Sequence, residues 1–354
     1  MVNPQNTKYR YNLQKNVYDA IDRNKYDPIL IGIDKNGAWL LADSKSIIND
    51  SDPKNIKLNT SGDTVALVPN SKGNISNLKD LSKHLDIDVV FPILHGPFGE
   101  DGTVQGLLKL ADIPFAGSGV LGSAVGMDKD VMKRLLTFAN IPIGKYLVVN
   151  ANDKLPTYET VKEAINIPCF VKPANMGSSV GVEKIHNSDE YIKFSNMAFQ
   201  YDTKIILEEF IEGREIECAV LGNENPIASI LGEIKSSHEF YSYNAKYLDE
   251  NGAVLEIPAK LDSVLVTQIQ TLAIQTFKAL YAQGLSRIDF FLKYDGTIYV
   301  NEINTMPGFT KISMYPKLWE ASGISYTDLI DRLIQLAFDR YKKESKIETS
   351  YLNI

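Results

Sequence analysis

The stretch RIDFFLKYDGTIYVNEIN, residues 287–304, decides more about this chain than any other part of it. Two short strand-like runs flank an Asp-Gly pair, which is typical of a two-residue β-hairpin turn. A symmetric hairpin closed at that turn places Asp289 opposite Glu302. The same register places Arg287 opposite Asn304. Because alternate residues of a strand share a face, all four side chains are expected on one side of the sheet.

Two acids that face each other across a hairpin need a compensating charge. At a backbone separation of about 5 Å their carboxylates repel, and a divalent cation between them turns that repulsion into binding. A ligand set of two acids and the amide of Asn304 suits Mg²⁺ or Mn²⁺ rather than Zn²⁺. The alternative is a solvated strand face on which Arg287 neutralises the acids. The hairpin therefore predicts either a metal site at Asp289, Glu302 and Asn304 or an ordinary charged surface.

The bulk composition is that of a globular protein. The chain has 354 residues, 44% of them hydrophobic and 23% charged, with a net charge of −7 that disfavours a nucleic-acid binder. Cys169 and Cys218 lie in apolar runs and are expected to be buried thiols in a reducing compartment. No apolar run approaches the roughly 18 residues of a membrane span. The N-terminus lacks an apolar signal core. We expect a cytoplasmic protein that binds neither nucleic acid nor membrane.

Apolar strands alternate with amphipathic helices along the chain, and this alternation predicts an α/β protein with a parallel sheet. Residues 78–85 have the spacing of a short helix, and residues 88–94 read as a buried strand. HGPFGEDGTVQG, residues 95–106, follows that strand and falls at the edge where parallel sheets bind ligands. His95 is expected either to contact an anionic or carbonyl group there or to be structural.

The segment FVKPANMGSSVGVEKI, residues 170–185, predicts a flexible hairpin that can close over an anion. Glycines let backbone N–H groups approach phosphate oxygens, and Lys172 adds a positive charge. A mobile surface hairpin is the alternative. Glu208 to Ile211 and Glu215 lie where one strand ends and the next begins. Such an edge can hold an adenine through its backbone and a ribose through a carboxylate, although an ordinary acidic turn has the same composition.

A G-x-G-x-x-G pattern at residues 117–122 raises a rival hypothesis, a nicotinamide dehydrogenase. The acid expected about 20 residues further on is missing. We expect these glycines to form a tight loop before the helix that carries Lys129.

Together these blocks resemble the D-alanine–D-alanine ligases of the ATP-grasp superfamily, from about Asn16 to the C-terminus. The motifs that carry the resemblance are HGPFGEDGTVQG, GSGVLGSAVGMDK, VKPANMGSSVG, EEFIEGREIE, EFYSYNAKY and RIDFF…NEINTMPGFT. The resemblance implies an ATP-grasp fold of three lobes. These would be an N-terminal parallel-sheet domain in residues 1–116, a central lobe with the Gly/Ser loop in residues 117–206, and a C-terminal lobe with the metal site in residues 207–354.

The resemblance also implies the reaction. Such enzymes join two D-alanines for peptidoglycan synthesis through an acyl phosphate, use ATP and two Mg²⁺ or Mn²⁺ ions, and form homodimers. The implied metal ligands are Asp289, Glu302 and Asn304. The implied ATP contacts are Lys129, Lys172, Glu208, Phe210, Ile211, Glu215 and Lys246. The implied catalytic residues are Arg287, Ser178, Tyr247 and Gly308, and the implied substrate contacts are His95, Ser313 and Met314.

Tyr247 carries a specificity prediction. Members of the family that form dipeptides are similar to this chain in having tyrosine there, whereas members that form depsipeptides tend to have phenylalanine. The resemblance therefore implies D-alanine rather than D-lactate as second substrate. In that reading Tyr247 pairs with Ser178 to close the site and exclude water from the acyl phosphate.

The N-terminus departs from the family pattern. The family begins with an apolar strand and a loop similar to G-G-x-S-x-E-H-x-V-S, whose glutamate holds the ammonium of the first D-alanine, but this chain begins MVNPQNTKYRYNLQ. We expect a truncated or altered start that weakens first-substrate affinity, stability or both. Alternatively, Lys8 to Leu13 forms a short strand and another group binds the ammonium. Another ATP-grasp carboxylate–amine ligase and a catalytically impaired nucleotide-binding relative remain open as functions.

Overall fold

The computed structural model describes residues 14–34, 36–41, 62–236 and 253–348, and it divides into two compact units. The first unit combines the part up to Leu94 with residues 103–117 and the part from Gly308 onward. The second unit contains residues 95–102 and 118–307. The C-terminal segment therefore packs with the N-terminal one. The predicted lobe boundaries at 116 and 206 stay predictions.

Helices and strands alternate along the chain. The helices are α1 (residues 14–20), α2 (Thr103–Leu110), α3 (Val120–Met127), α4 (Lys129–Phe138), α5 (Tyr158–Ile165), α6 (Ser188–Ala198), α7 (Ser263–Ala279), α8 (Met314–Ala321) and α9 (Tyr326–Glu344). The strands are β1 (Ile31–Ile33), β2 (Trp39–Leu41), β3 (Asp63–Leu67), β4 (Asn74–Asn77), β5 (His84–Asp86), β6 (Tyr146–Asn150), β7 (Cys169–Pro173), β8 (Glu183–Ile185), β9 (Lys204–Glu209), β10 (Arg214–Gly222), β11 (Ile227–Ser236), β12 (Ala253–Glu256), β13 (Gly284–Leu292) and β14 (Ile298–Asn304).

The sheet of the first unit runs in the order β1-β2-β3-β4-β5, and each of its described pairings is antiparallel. This differs from the parallel pairing predicted for the N-terminal domain. In the described residues, parallel pairing in this unit is limited to a bridge between Val90 and Phe115. Parallel neighbours need a long crossover, whereas β4 and β5 are joined by a short turn. Residues 78–85, predicted as a helix, form that turn and the start of β5, because Asn77 Oδ1 accepts from the backbone N–H of Lys79 at 2.9 Å.

The four-stranded sheet of the second unit has the order β6-β9-β7-β8 and two very different faces. One face packs on α5 and α6 through an apolar core that includes Val171, Leu207 and Tyr191. On the other face, one row of residues crosses all four strands. It consists of Tyr146, Glu208, Phe170 and Lys184.

The five-stranded sheet of the second unit has the order β12-β11-β10-β13-β14. Its core face is covered by α7 and by α4, which contributes Met132 and Leu136. Helix α4 therefore has one side in this core, and its charged residues lie elsewhere on the helix. Cys169 and Cys218 are both free and buried, as predicted. Within the described ranges, no helix combines the length and the apolar character needed to cross a bilayer.

The hairpin β13–β14 has the predicted register at Asp289 and Arg287, but its pairing near the turn differs from the prediction. The loop is one residue longer than predicted: the N–H of Lys293 donates to the carbonyl of Thr297 at 2.9 Å, and Gly296 has a φ of 86°. This loop shifts the pairing near the turn by one residue. An irregularity between Asp289 and Phe290 shifts it back, because β14 carries one extra residue, Asn301. The predicted pairs of residues 289 with 302 and 287 with 304 are confirmed.

Candidate active site

An acidic row crosses three strands of the five-stranded sheet. Glu217 on β10 is the register partner of Asp289 on β13, and Asp289 is the partner of Glu302 on β14. Sequence reasoning found the last two acids through the hairpin but missed Glu217, which belongs to a strand far away in the chain. The available signal was the alternation of Glu215 and Glu217, which places two acids on one strand face.

Arg287 binds two acids of this row. Its Nε and Nη2 each lie 2.7 Å from an oxygen of Asp289, and Nε lies 3.0 Å from Glu217 Oε2. Burial disfavours the charged guanidinium, but the Asp289 and Glu217 carboxylates outweigh it and hold the pKa of Arg287 well above its ordinary value. Arg287 is therefore a fixed cation with a defined orientation.

The row fits a hard divalent cation. Asp289 and Glu302 offer carboxylate oxygens. Asn304, whose Nδ2 donates to Asp289 Oδ2 at 3.0 Å, adds an amide oxygen beside them. Asp289 accepts from Arg287 and Asn304, but a carboxylate has about four lone-pair positions and can also bind a metal. No group of three or more His, Cys, Asp or Glu suited to a metal occurs in the described residues. The protein ligands would therefore need completion by water or phosphate oxygens, as Mg²⁺ sites commonly have.

A second charged group lies on the polar face of the four-stranded sheet. Lys172 Nζ is 2.7 Å from Glu208 Oε2, and Lys133 Nζ is 3.4 Å from Glu208 Oε1. Lys129 Nζ donates to the carbonyl of Met176 at 2.7 Å. Lys129, Lys133, Lys172 and Glu208 are all buried, and we call them the lysine cluster. Its three cations and one carboxylate leave a buried positive charge that suits phosphates.

The electrostatics of the lysine cluster link it to the acidic row. Burial lowers the pKa of Lys129, and Glu302 is the largest charge that opposes this shift. Burial would raise the pKa of Glu208, but Lys133 and Lys172 outweigh it and lower that pKa. Glu302 lies on β14 and Lys129 on α4, so the influence of Glu302 on Lys129 indicates that the acidic row and the lysine cluster share one electrostatic environment.

The N-terminus of α4 is fixed by a separate ion cluster. Asp128 caps the helix by accepting from the backbone N–H groups of Asp130 and Val131, both at 3.1 Å. Lys204 Nζ lies 2.7 Å from Asp128 Oδ2 and 2.9 Å from Asp130 Oδ2. Lys129, the first residue of the helix, is therefore held at a defined position.

The predicted adenine contacts lie beside the same sheet face. Phe170 and Phe210 have ring centroids 6.0 Å apart, and Lys184 Nζ lies 3.9 Å from the centroid of Phe210. A Cβ on Gly144 would lie 2.9 Å from Ile211 Cδ1, so a larger residue there would displace the end of the Ile211 side chain. The Glu208 side chain belongs to the lysine cluster, and its predicted backbone contact with adenine stays a prediction. Glu215 is half-buried on β10.

The Gly/Ser loop between β7 and β8 has an unusual backbone. Ser178 and Ser179 have φ values of 56° and 57°, a left-handed conformation that costs energy for residues other than glycine. The loop lies close to Glu100, whose Oε2 would be 3.7 Å from a Cβ on Gly177. Glu100 also lies 3.7 Å from His95 Nδ1. The structure thus brings HGPFGEDG and the Gly/Ser loop together.

Two family models match the chain. The model described as "D-ala D-ala ligase N-terminus" matches residues 14–118, and that described as "D-ala D-ala ligase C-terminus" matches residues 135–335. A D-alanine–D-alanine ligase of Oceanobacillus iheyensis is 52% identical over 339 residues, covering 95% of this chain and 93% of the relative. The chain belongs to the D-alanine–D-alanine ligase family. D-alanine–D-alanine ligase A of Salmonella typhimurium is 46% identical, covering 95% of this chain and 93% of that relative.

Solved structures of the family have the same fold. The D-alanine–D-alanine ligase of Coxiella burnetii superposes with a TM-score of 0.83 at 34% identity, covering 96% of this chain and 92% of that one. The VanG D-Ala:D-Ser ligase of Enterococcus faecalis gives a TM-score of 0.82 at 34% identity, with 93% and 95% covered. The predicted α/β ATP-grasp fold is therefore confirmed.

The remaining positions implied by the ligase family fall in three places. Gly308, Ser313 and Met314 belong to the first unit, where Ser313 precedes α8 and its Oγ lies 2.7 Å from Thr310 Oγ1. Lys246 and Tyr247 lie outside the described residues. Gly117 and Gly119 precede α3, not the helix that carries Lys129 as predicted, and Gly122 lies inside α3. A Cβ on Gly122 would lie 2.4 Å from the carbonyl of Tyr281, so glycine is needed for this close approach.

The predicted altered start also concerns residues outside the described ranges, since residues 1–13 are not described. The first unit contains a cavity of about 560 Å³. It is lined by apolar side chains that include Val17, Ile31 and Val90. How the ligase family's first-substrate site is completed in this chain stays a prediction.

Proposed function

We propose that this chain joins two D-alanines into D-alanyl-D-alanine, with conversion of ATP to ADP and phosphate, as a step of peptidoglycan precursor synthesis. The observation that carries the proposal is the pairing of two charge groups in one unit. The lysine cluster supplies cations for a triphosphate, and the acidic row supplies oxygen ligands within its electrostatic reach. The 52% identity to a named ligase supports the same reaction.

The reaction divides into two displacements. A carboxylate oxygen of the first D-alanine attacks the γ-phosphorus, the bond to ADP breaks, and an acyl phosphate forms. The amine nitrogen of the second D-alanine then attacks the acyl carbon, phosphate leaves, and the nitrogen loses a proton. Lys129 and Lys172 neutralise phosphoryl charge in the first displacement. Arg287 and the N–H of Gly308 donate to the oxygen that becomes negative in the second.

The other predicted residues bind or enclose the reactants. Asp289, Glu302 and Asn304 would hold one or two Mg²⁺ or Mn²⁺ ions, which when bound neutralise phosphate charge. The adenosine part of ATP is bound by Phe210, Ile211, Glu208 and Glu215. His95 lies near the first D-alanine, and Ser313 and Met314 bind the carboxylate of the second. We infer that Ser178, Tyr247 and Lys246 close the site, and that Tyr247 selects an amine as acceptor.

We also propose that the chain works in the cytoplasm as a homodimer. ATP as substrate and two free buried thiols support the compartment. Only the family resemblance supports the dimer. Sedimentation equilibrium at micromolar concentration tests it, and a mass equal to one chain across the range contradicts it.

The decisive experiment is a phosphate-release assay with ATP, Mg²⁺ and D-alanine. We expect release that requires D-alanine and yields the dipeptide. Glu302→Gln removes a carboxylate of the acidic row and is expected to lower kcat by at least about 100-fold, the scale of losing a group that stabilises transition-state charge. Glu163→Gln, an exposed acid on α5, is the matched control and should match the wild type.

The identity of the acceptor is tested in the same assay. D-serine and D-lactate are offered in place of the second D-alanine, and the products are separated by mass. D-Alanyl-D-alanine should predominate at neutral pH. Phosphate release that is independent of D-alanine, or that prefers another amino acid, would contradict the proposed function.

A further inference from the structure

Lys133 is a buried cation beside the carboxylate of Glu208. It lies one helical turn after Lys129 on α4 and is only 2% exposed. Its Nζ lies 3.4 Å from Glu208 Oε1 and 5.7 Å from the centroid of the Tyr146 ring. A group this enclosed has no surface to offer a nucleotide. An effect of Lys133 on ATP is therefore electrostatic, and the nearest charge through which it acts is Glu208.

The carboxylate of Glu208 faces two lysines, one with each oxygen. Its Oε2 lies 2.7 Å from Lys172, and its other oxygen faces Lys133. If Lys172 were the only partner, the two opposite charges would cancel, and Lys172 would attract a phosphate only weakly. Lys133 supplies a second positive charge to the same carboxylate. With it, the lysine cluster keeps a surplus of positive charge on the side of Lys172.

We propose that Lys133 is a positioning residue for ATP: it neutralises Glu208 and so leaves the charge of Lys172 available to the nucleotide phosphates. The inference rests on the proposed function only in that ATP is the ligand of the lysine cluster. Lys133 and Glu208 attract each other because their opposite charges lie 3.4 Å apart, and this attraction opposes the pKa shift that burial gives each of them.

The first test compares charge-removing and charge-keeping variants. Lys133→Met keeps the length and apolar stem of the side chain but removes its charge. We expect about tenfold weaker ATP binding, the effect of one unit charge at moderate distance in a partly polarisable interior. Lys133→Arg should regain most of that affinity. Lys162→Met, an exposed lysine on α5, is the control and should bind ATP like the wild type.

The second test restores the charge balance. Lys133→Met combined with Glu208→Gln removes one charge of each sign, so the lysine cluster regains its wild-type net charge. We expect ATP affinity within about threefold of the wild type, since Lys129 and Lys172 remain. A purely structural role for Lys133 predicts that the double variant binds no better than the single one. The double variant also carries the test if Lys133→Met alone does not fold, because it contains no unpaired buried carboxylate.

The readout is ATP affinity by calorimetry with Mg²⁺ and no D-alanine, followed by KM for each substrate. Wild-type affinity in Lys133→Met would overturn the inference, and so would a double variant as weak as the single one. An equal rise in KM for ATP and D-alanine would also overturn it. Failure of the proposed ligase reaction is distinguishable, because wild-type enzyme would then bind ATP without D-alanine-dependent phosphate release.

Discussion

Lys129 and Lys133 respond to alkaline pH because they are buried. Burial lowers the pKa of both lysines from 10.5, although Glu302 and Glu208 partly oppose it. As the pH rises toward 10.5, both lose their protons earlier than an exposed lysine would, and the site for phosphate loses charge. Bound phosphates favour the charged lysines, so ATP binding must take up protons in this window.

Two measurements test this titration at the residue scale. ATP affinity should fall as the pH rises between the lowered lysine pKa and 10.5, with proton uptake detected by calorimetry in buffers of different ionisation enthalpy. Stability does not report on these lysines. Their lowered pKa values would raise stability as the pH rises, but buried thiols and tyrosines with raised pKa values, such as Cys169 and Tyr326, keep their protons longer in the folded chain and act in the opposite direction. Proton release on ATP binding, or affinity that is independent of pH in this window, would contradict the assignment of buried charged lysines.

At the scale of elements, the start of α4 joins stability to nucleotide binding. Asp128 both caps this helix and pairs with Lys204, and Lys129 follows it directly. Asp128→Ala should lower the free energy of unfolding by about 1–3 kcal/mol, from the lost cap together with the lost partner of a largely buried lysine. ATP affinity should fall with it, because Lys129 is no longer held. Thermal unfolding and calorimetry measure the two effects.

A control variant separates the loss of a helix cap from the loss of the defined position of Lys129. Thr157 caps α5 by accepting from the N–H of Thr160 at 3.2 Å, on the helix-covered face of the four-stranded sheet. Thr157→Ala should lower stability by a similar cap energy and leave ATP affinity unchanged. Asp128→Asn, which keeps the cap but not the charge, should give an intermediate result. If both alanine variants weakened ATP binding equally, the role given to α4 would be untenable.

The hairpin β13–β14 illustrates how far the sequence could predict the site. Strand alternation and an Asp-Gly turn are local signals, and they gave the correct partners for Asp289 and Arg287. No local signal predicted the longer loop or the extra residue Asn301. Each of them shifts the strand pairing by one residue in opposite directions, so the predicted register at Asp289 is still correct. Glu217 and Lys133 have local signals, the alternation with Glu215 and the one-turn spacing from Lys129, but the partners that give them a role meet them only in the folded chain.

In the whole molecule, the C-terminal helix α9 packs with the N-terminal segment of the chain. Helix α9 belongs to the first unit, and Tyr26 and Lys25 bind Asp331 on it at 2.7 and 3.0 Å. A division of the sequence into consecutive lobes could not predict that α9 packs with the N-terminal segment, because the contacts join residues about 300 positions apart. The first unit is therefore built from segments that are far apart in the sequence.

Among the residues of α9, Arg340 offers the clearest test of how this helix packs within the first unit. It is buried, stacks 4.3 Å from the ring centroid of Phe115, and donates to the carbonyls of Phe115 and Gly117. Arg340→Met would leave two buried carbonyls without donors, at a cost of about 1–3 kcal/mol for each. We expect the melting temperature to fall by roughly 3 °C or more, with a smaller loss for Arg340→Lys, which cannot donate to both carbonyls.

The matched control for Arg340 lies on the same helix. Arg332 is half-exposed and pairs with Asp328 at 3.0 Å, and such a surface pair contributes at most about 1 kcal/mol. Arg332→Met should therefore melt within about 2 °C of the wild type. Differential scanning calorimetry compares the variants. If Arg340→Met melted no lower than Arg332→Met, the last helix would not hold residues 115–117 as described, since a buried donor shared by two carbonyls cannot be lost without cost.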